Sequence, residues 1–255
     1  MFTDRSNYKM ELEKTYNFRV DTGAQNENHA LTLSALQRII VTVSEEHLEN
    51  IGLSVPYLMS EYGVSWILLS LSAEIKDPIR AGERLSVRTW HTNKKGLYYR
   101  RDIEIRHEDG TLAAVAATFS SIFDMNTRRL CTNEKVLALV EELGEGEELF
   151  EANPRIRIKP EELSAVMTEN VMPSWIDALG HVNNFRYGDL ITDALPEEKR
   201  ALLGKLSRFE LGFTGELRLG ESVELRLSEE EGATLAAGIR SSDGKPAFVS
   251  KLIFG

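Results

Sequence analysis

The sequence of 255 residues predicts an α+β fold built twice in one chain. Three observations carry that prediction. The stretch Gly82-Glu83-Arg84-Leu85-Ser86-Val87-Arg88 returns as Gly220-Glu221-Ser222-Val223-Glu224-Leu225-Arg226, sharing the pattern G-E-x-[LV]-x-[LV]-R. Downstream of each copy stands a D-G hairpin signal, Asp109-Gly110 and Asp243-Gly244, followed by an apolar strand ending in Ile122-Phe123 or Ile253-Phe254. Upstream of each copy lies one apolar stripe of helical period.

Taken in order, Leu33, Leu36, Ile40 and Val43 mark the first helix, although the β-branched run 39–43 works against it. Residues 51–63 form a stretch with no counterpart in the second half. From Gly82 onward, apolar and polar residues alternate after a glycine turn, which is the period of a half-buried strand. Residues 132–159 read as a linker with a helical piece at 134–143, a glutamate cluster and Asn153-Pro154. In the second half Val182, Tyr187, Leu190, Ile191, Ala194 and Leu195 mark one helical face that Pro196 helps to end. The expected organisation is a unit over 1–131, a linker over 132–159 and a second unit over 160–255.

Composition narrows the function classes. With 42% hydrophobic and 27% charged residues, collagenous and disordered readings are excluded. The single cysteine, Cys131, cannot form an internal disulfide, and the N-terminus lacks the apolar core of a secretory signal, so a cytoplasmic protein is expected. No membrane span is expected either, since the longest apolar stretch, 111–123, is too short and too hydroxylated. A net charge of −10 argues against a nucleic-acid partner. Between Lys76 and Arg106, however, nine basic residues face four acidic ones, leaving a local excess of five. Such a run is either a solvated strand face or a patch that steers an acidic partner.

Chemistry concentrates in Ser174-Trp175-Ile176-Asp177-Ala178-Leu179-Gly180-His181-Val182-Asn183-Asn184-Phe185-Arg186-Tyr187. Singly, each polar residue here is explained by packing or by capping of the helix that follows. Together, D-x-x-G-H-V-N-N followed by an aromatic resembles the second-half motif of acyl-acyl carrier protein (acyl-ACP) thioesterases. In the first half, Asp124-Met125-Asn126-Thr127-Arg128-Arg129-Leu130 looks like that family's M-N-x-x-T-R-R ending. Residues 82–90 and Tyr99-Arg100-Arg101-Asp102 resemble two of its strands, so the likeness runs from about Tyr16 to the C-terminus.

The resemblance implies a tandem double hotdog, each half a curved antiparallel sheet around a central helix, with the covalent duplication supplying the partner unit and further homodimerisation left open. It implies hydrolysis of fatty acyl-ACP, releasing free fatty acid and ending elongation, with acyl carrier protein as partner and no cofactor or metal. By motif, the catalytic positions are Asp177, His181 and Glu216, with Gly180 and Asn183 positioning the thioester. A carboxylate, Glu216 or Asp177, would activate water, while His181 and the helix N-terminus would stabilise developing charge. Glu216 falls opposite Pro78 in the internal repeat, so shared strand architecture does not require it. Arg100, Arg101, Arg128 and Arg129 are the expected docking residues for an acidic carrier.

Other chemistries find little support. Cys131 lies outside the motif, no serine sits in a G-x-S-x-G elbow, and the histidines at 29, 47, 91, 107 and 181 lack metal-ligand spacing. One departure stands out: the family reads D-x-N-x-H, and here Leu179 replaces the asparagine, an alkyl group where an amide could orient water or carbonyl. This keeps two alternatives in view, a non-catalytic acyl-binding protein and an acyl-CoA thioesterase; a dehydratase fits the motif poorly. Gly188, inside the predicted helix, either leaves room for an acyl chain or permits a close contact of the helix with the sheet.

Overall fold

The structure, a computed structural model, describes residues 12–255 apart from 142 and 145. The extreme N-terminus and two members of the glutamate cluster, Glu142 and Glu145, therefore lie outside the described residues. The elements follow in chain order as β1 (Glu13–Arg19), α1 (Leu33–Asn50), α2 (Val55–Tyr62), β2 (Val64–Ile75), β3 (Arg84–Lys95), β4 (Tyr98–His107), β5 (Leu112–Asp124), β6 (Arg129–Leu130) and α3 (Glu134–Glu141). The second half continues with β7 (Ser164–Asn170), α4 (Arg186–Ala194), α5 (Glu197–Arg200), β8 (Leu206–Phe213), β9 (Ser222–Glu230), β10 (Ala233–Arg240) and β11 (Pro246–Phe254).

All strands join one antiparallel sheet in the order β1-β3-β4-β5-β2-β8-β11-β10-β9-β7, with β6 appended to β5. Its centre is the pairing of β2 with β8, from Ser70↔Gly212 to Glu74↔Arg208. Outward from that seam the strands follow the same sequence on both sides, β2-β5-β4-β3-β1 against β8-β11-β10-β9-β7. The duplication read from the glycine turns is thus a duplication of strand order. Both D-G hairpins form where expected, joining β4 to β5 and β10 to β11.

Helix α1 starts at Thr32, whose hydroxyl accepts the Ala35 amide at 3.2 Å. Its β-branched run is tolerated because Ile39, Ile40 and Val43 are buried, and burial outweighs a weak intrinsic preference. The unmatched stretch 51–63 contains α2, opened by the Ser54 hydroxyl with Pro56 in the first turn and closed by Gly63 in the left-handed conformation. Helix α4 ends at Leu195, ahead of Pro196. Val182, read from the sequence as part of this helix, instead lies before it, in an isolated bridge with Ile176.

Gly188 brings α4 against α1: a Cβ at this position would lie 2.3 Å from Gln37 Oε1 and 2.6 Å from the Ser34 amide nitrogen. The glycine therefore serves a helix-to-helix contact, and neither a helix-to-sheet contact nor room for an acyl chain explains it. Across the same contact Gln37 Nε2 donates to the Asn184 carbonyl at 3.1 Å. The main core is shared by both halves, with Leu36 and Ile40 of α1 and Leu190 and Ile191 of α4 in one cluster. Cutting Ile40 to alanine in such a site costs about 2–5 kcal/mol.

Alternation along β4 sends Arg100 and Arg101 to opposite faces. Arg100 pairs with Asp102 at 2.8 Å and Glu148 at 2.6 Å, and donates to the Phe150 carbonyl at 2.7 Å. The linker is strapped to that face by further bonds, Trp90 Nε1 to the Glu147 carbonyl at 2.9 Å and the Leu149 amide to Asp102 at 3.1 Å. Other members of the basic stretch are paired too: Lys76 with Glu74, Arg80 with Glu83, Arg88 with Glu13 and Glu104, Lys94 with Glu141, and Arg106 with Glu104. The local excess of positive charge in sequence is largely neutralised in space. Among the described residues no helix is long and apolar enough to cross a membrane.

Candidate functional site

The segment leading into α4 is a short 3-10 turn, Pro173–Trp175, followed by a tight hairpin over 177–181. The Asp177 amide donates to the His181 carbonyl at 2.9 Å, and the Gly180 amide to the Asp177 carbonyl at 3.1 Å. On its side chain Asp177 takes the Leu179 amide on Oδ1 at 2.8 Å, closing a local side-chain turn. Gly180 has φ +82°, a left-handed value that explains the glycine, and open space surrounds the position of its missing Cβ. The Val182 amide ties the hairpin to the Leu217 carbonyl at 2.8 Å, just beyond β8. Asn183 then accepts the Phe185 amide on Oδ1 at 3.1 Å, a local side-chain turn just ahead of the helix.

These bonds bring an ionisable trio together. Asp177 Oδ2 lies 3.4 Å from His181 Nδ1. Glu216 stands close enough for the His181 ring to act on its titration. It is gripped by Arg218 at 2.7 Å and by Arg128 at 3.2 Å. Burial pushes the Glu216 carboxyl up, but the Arg218 hydrogen bond and the charges of Arg128, His181 and Arg218 outweigh it, so the net shift is below the usual glutamate range. Arg128 comes from the turn between β5 and β6 and carries φ +57°, an uncommon value for a residue with a side chain. The site thus joins the two halves of the chain. Arg240 adds a bond to the Glu216 carbonyl at 3.2 Å and packs against Gly215, where a Cβ would lie 2.7 Å from Arg240 Nη1 and push the guanidinium aside.

The trio sits at a cavity of about 650 Å³ that extends inward between α1 and the sheet. Trp66, Tyr99, Thr118 and Arg101 line it on the sheet side, Ser44 and Leu48 on the α1 side. Tyr187 of α4 also borders it, packed on Phe213 and Phe248, and burial holds its hydroxyl well above the ordinary tyrosine range. The volume is of the size that encloses a small organic ligand.

Of the residues singled out in the sequence, Asp177, His181, Glu216 and Asn183 all line this cavity, and Gly180 sits in the turn that presents them. Arg128 lines it as well, while Arg129 is exposed on β6. Arg100 and Arg101 correct the docking expectation: they are 1% and 3% exposed, so neither meets a partner's surface. Leu179 is 51% exposed at the rim. Cys131 is buried in a small cluster with Ile122 and Val136, and no group of metal-ligating side chains is found among the described residues.

Sequence reasoning missed a second turn. In the first half Gln25 bridges Leu31, the Asn26 amide donates to the Ala30 carbonyl at 2.9 Å, and Asn26 Oδ1 accepts the Asn28 and Ala30 amides at 3.0 Å each. His29 has φ +59° where the second half has Gly180. The signal was present but shifted: the offset is 151 residues from Asn26 to Asp177 and 138 from Gly82 to Gly220, and the difference of 13 is the length of the 51–63 insert.

Two family models match the chain, the acyl-ACP thioesterase N-terminal domain over residues 11–138 and the acyl-ACP thioesterase C-terminal domain over residues 158–250. Among solved structures, an acyl-ACP thioesterase from Bacteroides thetaiotaomicron superposes with a TM-score of 0.83 at 24% identity, covering 99% of this chain and 100% of that one. A 12:0-ACP thioesterase from Umbellularia californica also gives 0.83, at 14% identity over 96% of this chain and 97% of the other. At these identities the structural likeness speaks for the fold. No curated protein sequence matches the chain.

Proposed function

The chain belongs to the acyl-ACP thioesterase family, a family of thioester hydrolases, and we propose that the 177–181 turn is where it cleaves fatty acyl-ACP. The observation that carries this reading is the convergence of Asp177, His181, Asn183 and Glu216 on one 650 Å³ cavity. The shared strand order of the halves supports two tandem hotdog units, over 1–131 and 160–255, with 132–159 as linker. The product is a free fatty acid, whose release ends chain elongation, and the cytoplasm is the compartment.

In the proposed reaction water attacks the thioester carbonyl. His181 takes its proton, since a carboxylate held by two arginines below its ordinary range is a weak base and an imidazole is matched to neutral pH. Asp177, 3.4 Å from Nδ1, favours the imidazolium that forms, and the Asn183 side-chain amide, its oxygen already engaged by Phe185, donates to the oxyanion. Collapse breaks the C–S bond, and the proton follows the departing thiolate. Glu216 holds Arg128 at the site, and Arg128 with Arg129 offers positive charge to an acidic carrier.

A reading as an acyl-binding protein without turnover rests on Leu179 alone. That side chain is half exposed at the rim of the cavity that His181 also lines. Steady-state hydrolysis of acyl-ACPs and matching acyl-CoAs tests the proposal. Turnover that favours the carrier-bound substrates and collapses in His181→Ala supports it; a protein silent on every thioester, with turnover restored by Leu179→Asn, identifies a binding module.

A further inference from the structure

Arg101 is a buried cation that the proposed chemistry does not use. Its neighbour Arg100 is neutralised by Asp102 and Glu148. Among the described residues Arg101, 3% exposed, contacts His47 Nδ1 at 2.7 Å, Thr89 Oγ1 at 3.1 Å and the His91 ring, whose two nitrogens both lie 3.2 Å away. Among the described residues no carboxylate pairs with it, although Glu45, Asp177 and Glu216 line the same cavity. Burial, and then the Arg101 and His47 charges, hold His91 well below the usual histidine range, so that ring is neutral. Burial lowers Arg101 itself to about 9, which still leaves it charged at neutral pH.

Strand register sets its distance from the thioester site. Leu211 of β8 pairs with Leu71 of β2, Leu71 with Thr118 of β5, Thr118 with Arg101 of β4, and Arg101 with His91 of β3. Arg101 is therefore three strands from β8, whose end leads to Glu216. At about 4.8 Å per strand Arg101 lies roughly 14 Å across the sheet from Leu211, and Glu216 stands a further five residues along the chain. A chain ending in a methyl group at that depth would bring an apolar end beside a guanidinium that no carboxylate pairs with, and would return no acceptor. A chain carrying oxygen there would supply one, in a charge-assisted bond.

We propose that Arg101 forms an inner subsite for an oxygen function, hydroxyl or carboxylate, carried on the acyl chain far from the thioester. The cavity then sorts acyl groups by what their far end carries as well as by length. This rests on the thioester site proposed above.

The test uses sets of acyl-ACPs of equal chain length whose far ends are methyl, hydroxyl or carboxylate, hydrolysed by wild type and by Arg101→Met and Arg101→Lys. In parallel, non-hydrolysable amide analogues of the acyl pantetheines are titrated against the fluorescence of Trp66, which stacks on His91 at 6.3 Å. At the lengths that reach Arg101, oxygenated ends should be favoured about tenfold or more in kcat/KM and in binding. The ratio should fall to about one in Arg101→Met, and the carboxylate preference should survive in Arg101→Lys. A wild type that favours methyl ends at every length, or an Arg101→Met that keeps the preference, overturns the inference. Absence of hydrolysis with every substrate would instead count against the thioesterase reading, and the amide titration would still decide the inner subsite.

Discussion

In the first half Asn26 gathers the amides of Asn28 and Ala30 on its side-chain oxygen; in the second, Asp177 takes the amide of Leu179 in the same way. Both turns close with the amide of the leading residue on the carbonyl four positions on, both are framed by an isolated bridge, and both carry a left-handed residue at the fourth position. The backbone requirement is satisfied equally by an amide and by a carboxylate. Charge at Asp177 is therefore surplus to folding. What separates the halves is chemistry: Asp177 stands for Asn26, His181 for Ala30 and Glu216 for Pro78. One copy kept the architecture alone, and the other carries the ionisable groups on top of it.

The largest expected effect comes from exchanging the fifth position. His181→Ala should lower kcat/KM on acyl-ACP by roughly 10²–10⁴-fold, whereas Ala30→His in the other turn should leave hydrolysis unchanged. Next is the cross-half grip on Glu216, which has no counterpart at Pro78. Glu216→Gln should cost about 10-fold or more in kcat/KM by loosening Arg128. Because the folded carboxyl lies below its ordinary range, its contribution to stability is present above the unfolded value and fades as pH falls through the folded one. Melting curves of wild type and Glu216→Gln should accordingly differ at neutral pH and converge in acid.

A smaller change is expected at the third position, where the first turn has Asn28 and the second Leu179. Leu179→Asn should raise kcat/KM by a few-fold, up to roughly tenfold, by restoring a hydrogen-bonding amide at the rim; a drop would show that the leucine itself contributes to the site. The smallest concerns the left-handed residue. Gly180→Ala should cost about 1 kcal/mol in chemical denaturation, while His29→Gly, which relieves the same left-handed strain, should gain up to about 1 kcal/mol.

Much of this was legible in the sequence because it depends on local chemistry. Glycine turns and D-G pairs announce β3, β9 and the two hairpins, and the motif around His181 marks residues that the fold gathers on one cavity. Other features depend on what lies across from a residue. Nothing in Arg100-Arg101 distinguishes two buried arginines from a surface patch, since their fate is decided by Glu148 and His47 arriving from elsewhere. Gly188 looked like an oddity until α1 was set against it. The turn at Asn26 escaped notice because the 51–63 insert shifts the repeat between the turn and the strands.

The most direct test of the separation between architecture and chemistry is Asp177→Asn, which writes the first-half residue into the second-half turn. Thermal or chemical unfolding should stay within about 0.5 kcal/mol of wild type, because Asn26 already makes the same turn. Hydrolysis of acyl-ACP should fall by about 10²-fold or more, because His181 loses its partner charge. A variant that folds normally and hydrolyses acyl-ACP at the wild-type rate would contradict the account.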